Sequence, residues 1–222
     1  MRNLILIILI LFVNFTNSQE KSDAEMLLNK VSENIKGYNN VFINYEYRLN
    51  NDELDIDEKN AGSFVKEKDK WKFEFVGITR IFDGSKLFTI SPEDEEVTIS
   101  SENPEEESTI TPNKMLYFYE DGYTVTMDKI EYLKNRSNSN SRYRKKIQYV
   151  KLIPKDSDSE IKFILLGIDT EFNQIYEVVE TGKNDTVTTI TIIDFEFNIK
   201  INKDFFVFND EKYKNYYMNI LD

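Results

Sequence analysis

From residue 22 the chain reads in two periods. In SDAEMLLNKVSENIKGY, Ala24, Leu27, Leu28, Val31 and Ile35 recur at helical spacing on one face. Ser22 followed by Glu25 is a capping box, and Gly37 is placed to end the segment in a left-handed conformation. The pattern predicts a helix over 23–36, amphipathic and therefore in need of an apolar surface. Beyond it the period drops to two. Val41, Ile43, Tyr45 and Tyr47 alternate with Phe42, Asn44, Glu46 and Arg48. In KWKFEF, Trp71, Phe73 and Phe75 share one face of a strand while Lys70, Lys72 and Glu74 share the other, which is expected to face water.

Strands are expected at 41–48, 61–67, 70–76, 78–82, 86–90 and 97–100. Lys68-Asp69 and Asp83-Gly84 mark tight turns. The acidic stretch 50–60 reads as a solvated loop; its acids could meet calcium but lack the spacing of an EF-hand. SENPEEES is a second acidic loop. In TPNKMLYFYEDGY, Thr111 can cap, Pro112 suits the first helical position and Gly122 closes, which predicts a short, apolar helix over 112–120. NRSNSNS at 135–141 is a polar loop. Strands then recur near 123–132, 144–154, 160–167, 172–181, 186–201 and 205–208. Between Ile161 and Ile168 a slip of one residue would exchange inside for outside. There is no internal repeat and no linker. One helix and about eleven strands in meander order predict a mainly β (α+β) fold: a single curved antiparallel sheet, an incomplete barrel with helices on its concave side.

The first eighteen residues, MRNLILIILILFVNFTNS, are a different kind of segment. Arg2 precedes an apolar run from Leu4 to Val13, and Thr16 and Ser18 supply small residues before Gln19. That is the pattern of a secretory signal peptide; an uncleaved anchor is the competing reading, but the run is short for a span of about 20 residues. Export is therefore expected, leaving one domain over 19–222. The chain has a formal net charge of −12, and removing Arg2 makes it one unit more negative. Such acidity argues against nucleic acid and anionic head groups as partners.

Cysteine and histidine are both absent. This excludes disulfide scaffolds, cysteine nucleophiles, Ser-His-Asp triads and His-based zinc sites. A carboxylate enzyme remains conceivable, but it needs two acids about 5 to 10 Å apart in a cleft, and the acids here fall mostly in loops or on outward strand faces. No catalytic residue, metal site or cofactor is expected. Aromatic residues make up 14% of the chain. They suit either the packed interior of a curved sheet or the walls of a hollow one.

The order of these parts resembles the LolA-type carriers, periplasmic proteins that ferry acylated lipoproteins between membranes, and within them a Bacteroidetes-like branch. The resemblance is carried by NIKGYNNVFINYEY, AGSFVKEKDKWKFEF, IFDGSKLFTISPEDEEVTI, TPNKMLYFY, YVKLIPKD, EFNQIYEVVET and ITIIDFEFNIKINKDFFVF, in family order over nearly all of 23–208. It implies an incomplete barrel with a helical lid and a hydrophobic cavity for acyl chains. That cavity is expected to draw on Leu28, Ile43, Tyr45, Trp71, Phe73, Phe75, Phe88, Met115, Leu116 and Tyr119.

The resemblance further implies a periplasmic monomer that takes acylated lipoproteins from an inner-membrane ABC-type releasing complex, with an outer-membrane acceptor beyond. An alternative on the same fold is a lipid- or glycolipid-binding envelope module without lipoprotein cargo. Many family members hold the lid with an arginine in the hairpin turn. Here that turn is Lys66-Glu67-Lys68-Asp69, which leaves Lys68 as the candidate lid contact, although lysine lacks the fork-shaped donor set.

Overall fold

The computed structural model describes residues 22–101, 116–134 and 144–221. The expected signal peptide, the acidic run from 102, Met115 and the 135–141 loop lie outside the described residues. Helix α1 spans Asp23–Gly37, and its capping box forms: Ser22 Oγ accepts from Glu25 N while Glu25 Oε2 accepts from Ser22 N at 2.8 Å. Gly37 does not turn left-handed. Instead Tyr38 is extended at the helix end, its ring stacked on Phe197 with centroids 4.2 Å apart, so the chain runs straight into the first strand.

Among the described residues twelve strands follow: β1 (Asn40–Asn51), β2 (Ile56–Glu67), β3 (Lys70–Phe75), β4 (Ile78–Phe82), β5 (Leu87–Ser91), β6 (Glu96–Ser100), β7 (Tyr123–Lys134), β8 (Arg144–Pro154), β9 (Ile161–Asp169), β10 (Gln174–Gly182), β11 (Val187–Phe197) and β12 (Tyr217–Leu221). They make one sheet in the order β12-β6-β5-β4-β3-β2-β1-β11-β10-β9-β8-β7, which does not close into a barrel. The predicted class is therefore the observed one. Two meanders, β1–β6 and β7–β11, join where β11 pairs with β1. Between them the chain crosses the concave side through Leu116 and Tyr117, then a 3-10 turn at Phe118–Glu120. No helix among the described residues is long and apolar enough to cross a membrane.

Several elements depart from expectation. The acidic stretch 50–60 is not a loop: β1 and β2 stay paired as far as Asn51 and Ile56. Buried Asn51 fixes the turn by accepting from the Glu53 and Leu54 amides and donating to Thr186 Oγ1. Arg48 takes Asp57 at 2.7 Å, so that acid is engaged across the hairpin. A bulge beside Asn44 and Tyr45 offsets β11, which brings Ile190, Ile192 and Phe195 to the inner cluster and leaves Ile193 exposed. β11 ends at Phe197, where Asn198 has positive φ and Asn40 accepts from Ile199 N.

From there the chain leaves the sheet. The predicted strand at 205–208 is a set of turns with no sheet partner, and Phe206 and Phe208 anchor it to the outer face of β2–β6. It returns as β12, parallel to β6, which makes the sheet antiparallel in all pairs but this one.

The fold thus has two apolar layers. The inner layer joins Ala24, Leu28, Val31 and Ile35 of α1 to the concave face. The outer layer joins Val65, Ile81, Phe88 and Ile90 to the C-terminal crossing segment. KWKFEF divides as predicted, with Trp71, Phe73 and Phe75 inward. Its charged face is partly covered, since Lys72 Nζ lies 5.4 Å over the Phe205 ring. In 161–168 the inward set is Ile164, Leu166 and Ile168.

Phe208 stacks on Phe88 at 4.6 Å and on Tyr213 at 5.4 Å. Phe208→Ala should lower the unfolding free energy by about 3 kcal/mol, the cost of deleting a buried aromatic ring. Urea denaturation measures it, and a loss below about 1 kcal/mol would mean that the crossing segment is dispensable.

Candidate functional site

Where α1 does not reach the sheet, the concave face leaves a cavity of about 230 Å³. Its floor is Ile43 of β1, Phe64 of β2 and inward residues of β9, β10 and β11, while Leu116 and Phe118 roof it and Tyr123 closes one side. Ile43, Phe64 and Ile164 are there because side chains along each strand alternate between its faces at period two. The lining is apolar except for the Tyr123 hydroxyl and one carboxylate, Glu180 of β10. A second hollow of about 310 Å³ abuts it across Ile175, Ile192 and Phe195. Its rim carries exposed Phe172 and Phe197, 53% and 44% accessible.

The roof is tied to the helix by polar contacts at its edge. Lys36 Nζ meets Glu120 Oε1 at 2.6 Å, and Ser32 Oγ and the Tyr119 hydroxyl hydrogen-bond at 3.2 Å. The hydrogen bond from Lys36 holds the Glu120 carboxyl below the usual carboxylate range. Lys36 and Lys66 also flank the Tyr117 ring at 5.5 and 5.7 Å. Burial pushes the Tyr119 phenol upward. The Lys36–Glu120 pair is half in water and open to salt screening. Leu116 and Tyr119 are buried, so the roof is held mainly by apolar contact.

Of the residues the sequence pointed to, Ile43 and Leu116 line the cavity. Leu28, Tyr45, Trp71, Phe73, Phe75 and Tyr119 lie in the same inner cluster but beside the cavity rather than on its wall. Tyr45 lies across Gly62, where an added Cβ would collide with its hydroxyl. Its ring then runs on to Phe73 and Phe75 with centroids 6.3 and 6.1 Å away. Phe88 is not brought to this site: its register partners Ile81 and Ile99 put it on the opposite face, under Phe208. Met115 lies outside the described residues. Lys68 lies in the turn with positive φ and lines a groove that also borders Leu116 and Tyr117. Among the described residues no hydrogen bond or ion pair joins it to the roof; Lys36 pairs with Glu120, and Lys66 reaches the roof over the Tyr117 ring.

Sequence reasoning missed the rest of the wall, Val178, Ile190 and Glu180 among it. The first two sit in a β-branched strand pattern that favours neither face, and Glu180 reads as one more surface acid. Among the described residues no three acids gather to hold a metal.

No family model matches the chain. No curated protein matches it either. Solved structures do. An uncharacterized conserved protein from Thermus thermophilus is 8% identical, with a TM-score of 0.57, covering 90% of this chain and 100% of that one. At that identity the likeness is one of fold. The lipoprotein LppX of Mycobacterium tuberculosis gives 10% identity and a TM-score of 0.48, covering 82% of this chain and 99% of that one. A LolA superfamily protein from Nitrosomonas europaea gives 10% and 0.42, covering 86% and 100%.

Burial pushes the Glu180 carboxyl above its ordinary value. The native state then holds that proton more tightly than the unfolded chain does. The stability it contributes is full below the ordinary carboxylate range and is lost as pH rises through the raised value. Glu180→Gln should therefore raise Tm at neutral pH, with the gap closing by about pH 4. Thermal scans across pH would refute this if the variant melted no higher than the parent at neutral pH.

Proposed function

We propose that this chain is a periplasmic carrier that takes the acyl chains of lipoproteins into the inner cavity and moves them from the inner to the outer membrane. The observation that carries the reading is an apolar hollow whose roof, Leu116 and Phe118, belongs to a segment separate from its floor. The sequence resemblance to LolA-type carriers and the export-type leader support it.

The physics of such a task fits these residues. Each CH₂ kept from water is worth about 0.8 kcal/mol, so a multiply acylated cargo needs shelter in an aqueous space. Apolar and aromatic walls give large contact without directional demands, which suits varied cargo. The implied donor is an ABC-type releasing complex of the inner membrane, and the implied acceptor lies at the outer membrane.

A second reading has an observation in its favour. The cavity is about 230 Å³, below the roughly 300–1,000 Å³ of drug-sized ligand pockets. That space fits part of a single chain, as a lipid-binding envelope module would need; several acyl chains require the roof to lift. Native mass spectrometry of protein exported by its own leader into a Gram-negative periplasm separates the two. An adduct with an acylated N-terminal cysteine supports the carrier, and phospholipid alone supports the module. A mass that stays bare when lipoprotein is offered overturns both.

Two substitutions give the matching in vitro test. Val178→Trp fills the cavity from its wall and should abolish acyl uptake while the protein stays folded. Phe73→Ala, at a partly buried ring, should cost about 2 kcal/mol of stability and leave uptake per folded molecule unchanged. Equal effects of the two on uptake would mean that the binding surface extends along the aromatic row instead.

A further inference from the structure

Among the described residues, one carboxylate lines the cavity: Glu180, partly buried. Glu180 pairs in register with Ile164 of β9 and Thr188 of β11, so its neighbours across the sheet offer no positive charge. Among the described residues its side chain makes no hydrogen bond and no ion pair. Burial alone accounts for the upward push on its carboxyl. The other acids nearby are treated differently. Glu177, three residues earlier on the outer face, accepts from Tyr149 at 2.9 Å and from Thr191 at 3.1 Å. Asp169, in the adjoining hollow, meets Lys145 at 3.0 Å. A cavity built only for packing would carry an apolar residue here, as it does at Val178. An unpaired carboxylate in an apolar wall costs stability, and a ligand with a matching donor removes that cost.

We propose that Glu180 is the head-group end of the cavity, and that the preferred ligand is a single-chain amphiphile whose head carries a protonated amine. This rests on reading the cavity as an acyl-chain site. From Ile175 to Glu180 the strand advances at most roughly 16 Å, room for an extended alkyl chain of about ten carbons together with its head group. The chain would lie along β10 over Val178, with its tail toward Ile175 and Phe195. The ammonium would meet Glu180 in a charge-assisted hydrogen bond, stronger than a neutral one. A fatty acid of equal length would set carboxylate against carboxylate, which is repulsive and so selects against it. Among the described residues Tyr123 is the other titratable group on the cavity wall; burial, and after it the charge of Glu180, push its phenol up.

The test is displacement of bound N-phenylnaphthylamine by decylamine, decanol and decanoate at pH 7.5, on the full exported protein. Decylamine is expected to bind about tenfold or more tightly than decanoate, with decanol between them. In Glu180→Gln the amine should fall to the level of the alcohol and the ratio to decanoate should collapse. Lowering the pH should weaken decylamine but not decanol in the parent. Retention of the parent's preference in Glu180→Gln overturns the inference, as does decanoate matching decylamine in the parent. If all three chains bind alike, the head-group assignment falls and the cavity reading stands. If none displaces the probe, both fall.

Discussion

The fold depends on one mutual burial. The apolar stripe of α1 and the concave face of the sheet can leave water only against each other. Val31 and Leu166, each fully buried, mark the two sides of that contact. A lone helix of this length is marginal in water, and an uncovered sheet face would expose a continuous apolar surface. Because β1 follows α1 directly, the helix also fixes the seam of the sheet. Tyr38 stacks on Phe197 at the start of β1, where β11 closes the second meander onto the first.

The cavity is a consequence of that geometry. A straight helix lying in a curved sheet cannot fill its whole width, and the 116–120 segment covers part of what remains. Ser32 and Lys36 of α1 hold that segment from the side, so the element that packs the core also sets the roof. Glu180 faces the unfilled space in place of a hydrocarbon. Burial there pushes its carboxyl above the ordinary value, a local inconsistency in an otherwise apolar wall.

The outer face follows a different logic in each half. On β2, β4, β5 and β6 it is apolar, at Val65, Ile81, Phe88, Ile90 and Val97, where residues 201–218 lie across it, while β3 presents its charged face. On β8–β11 the outer face is more polar: Lys151 lies over Phe163, and Glu177 accepts from Tyr149 and Thr191. The covered half therefore has apolar side chains on both faces, and β12 then shields the outer edge of β6.

Local physics was legible in the residues. The capping box of α1, its buried stripe, the inward set Val41, Ile43 and Tyr45, and the division of KWKFEF all follow from spacing and short-range chemistry. So does the fold class. Other features were settled only by tertiary structure. Alternation says that Leu87 and Phe88 point opposite ways, not which one meets α1; the register with β4 and β6 decides that. The parallel pairing of β12 with β6 joins residues more than a hundred positions apart, and nothing local encodes it. Glu180 has the sequence signature of a surface acid. Its place on the cavity wall depends on the bulges that offset β9, β10 and β11. Period and caps are properties of neighbouring residues, whereas face, register and enclosure are properties of strands that meet only after the chain has folded.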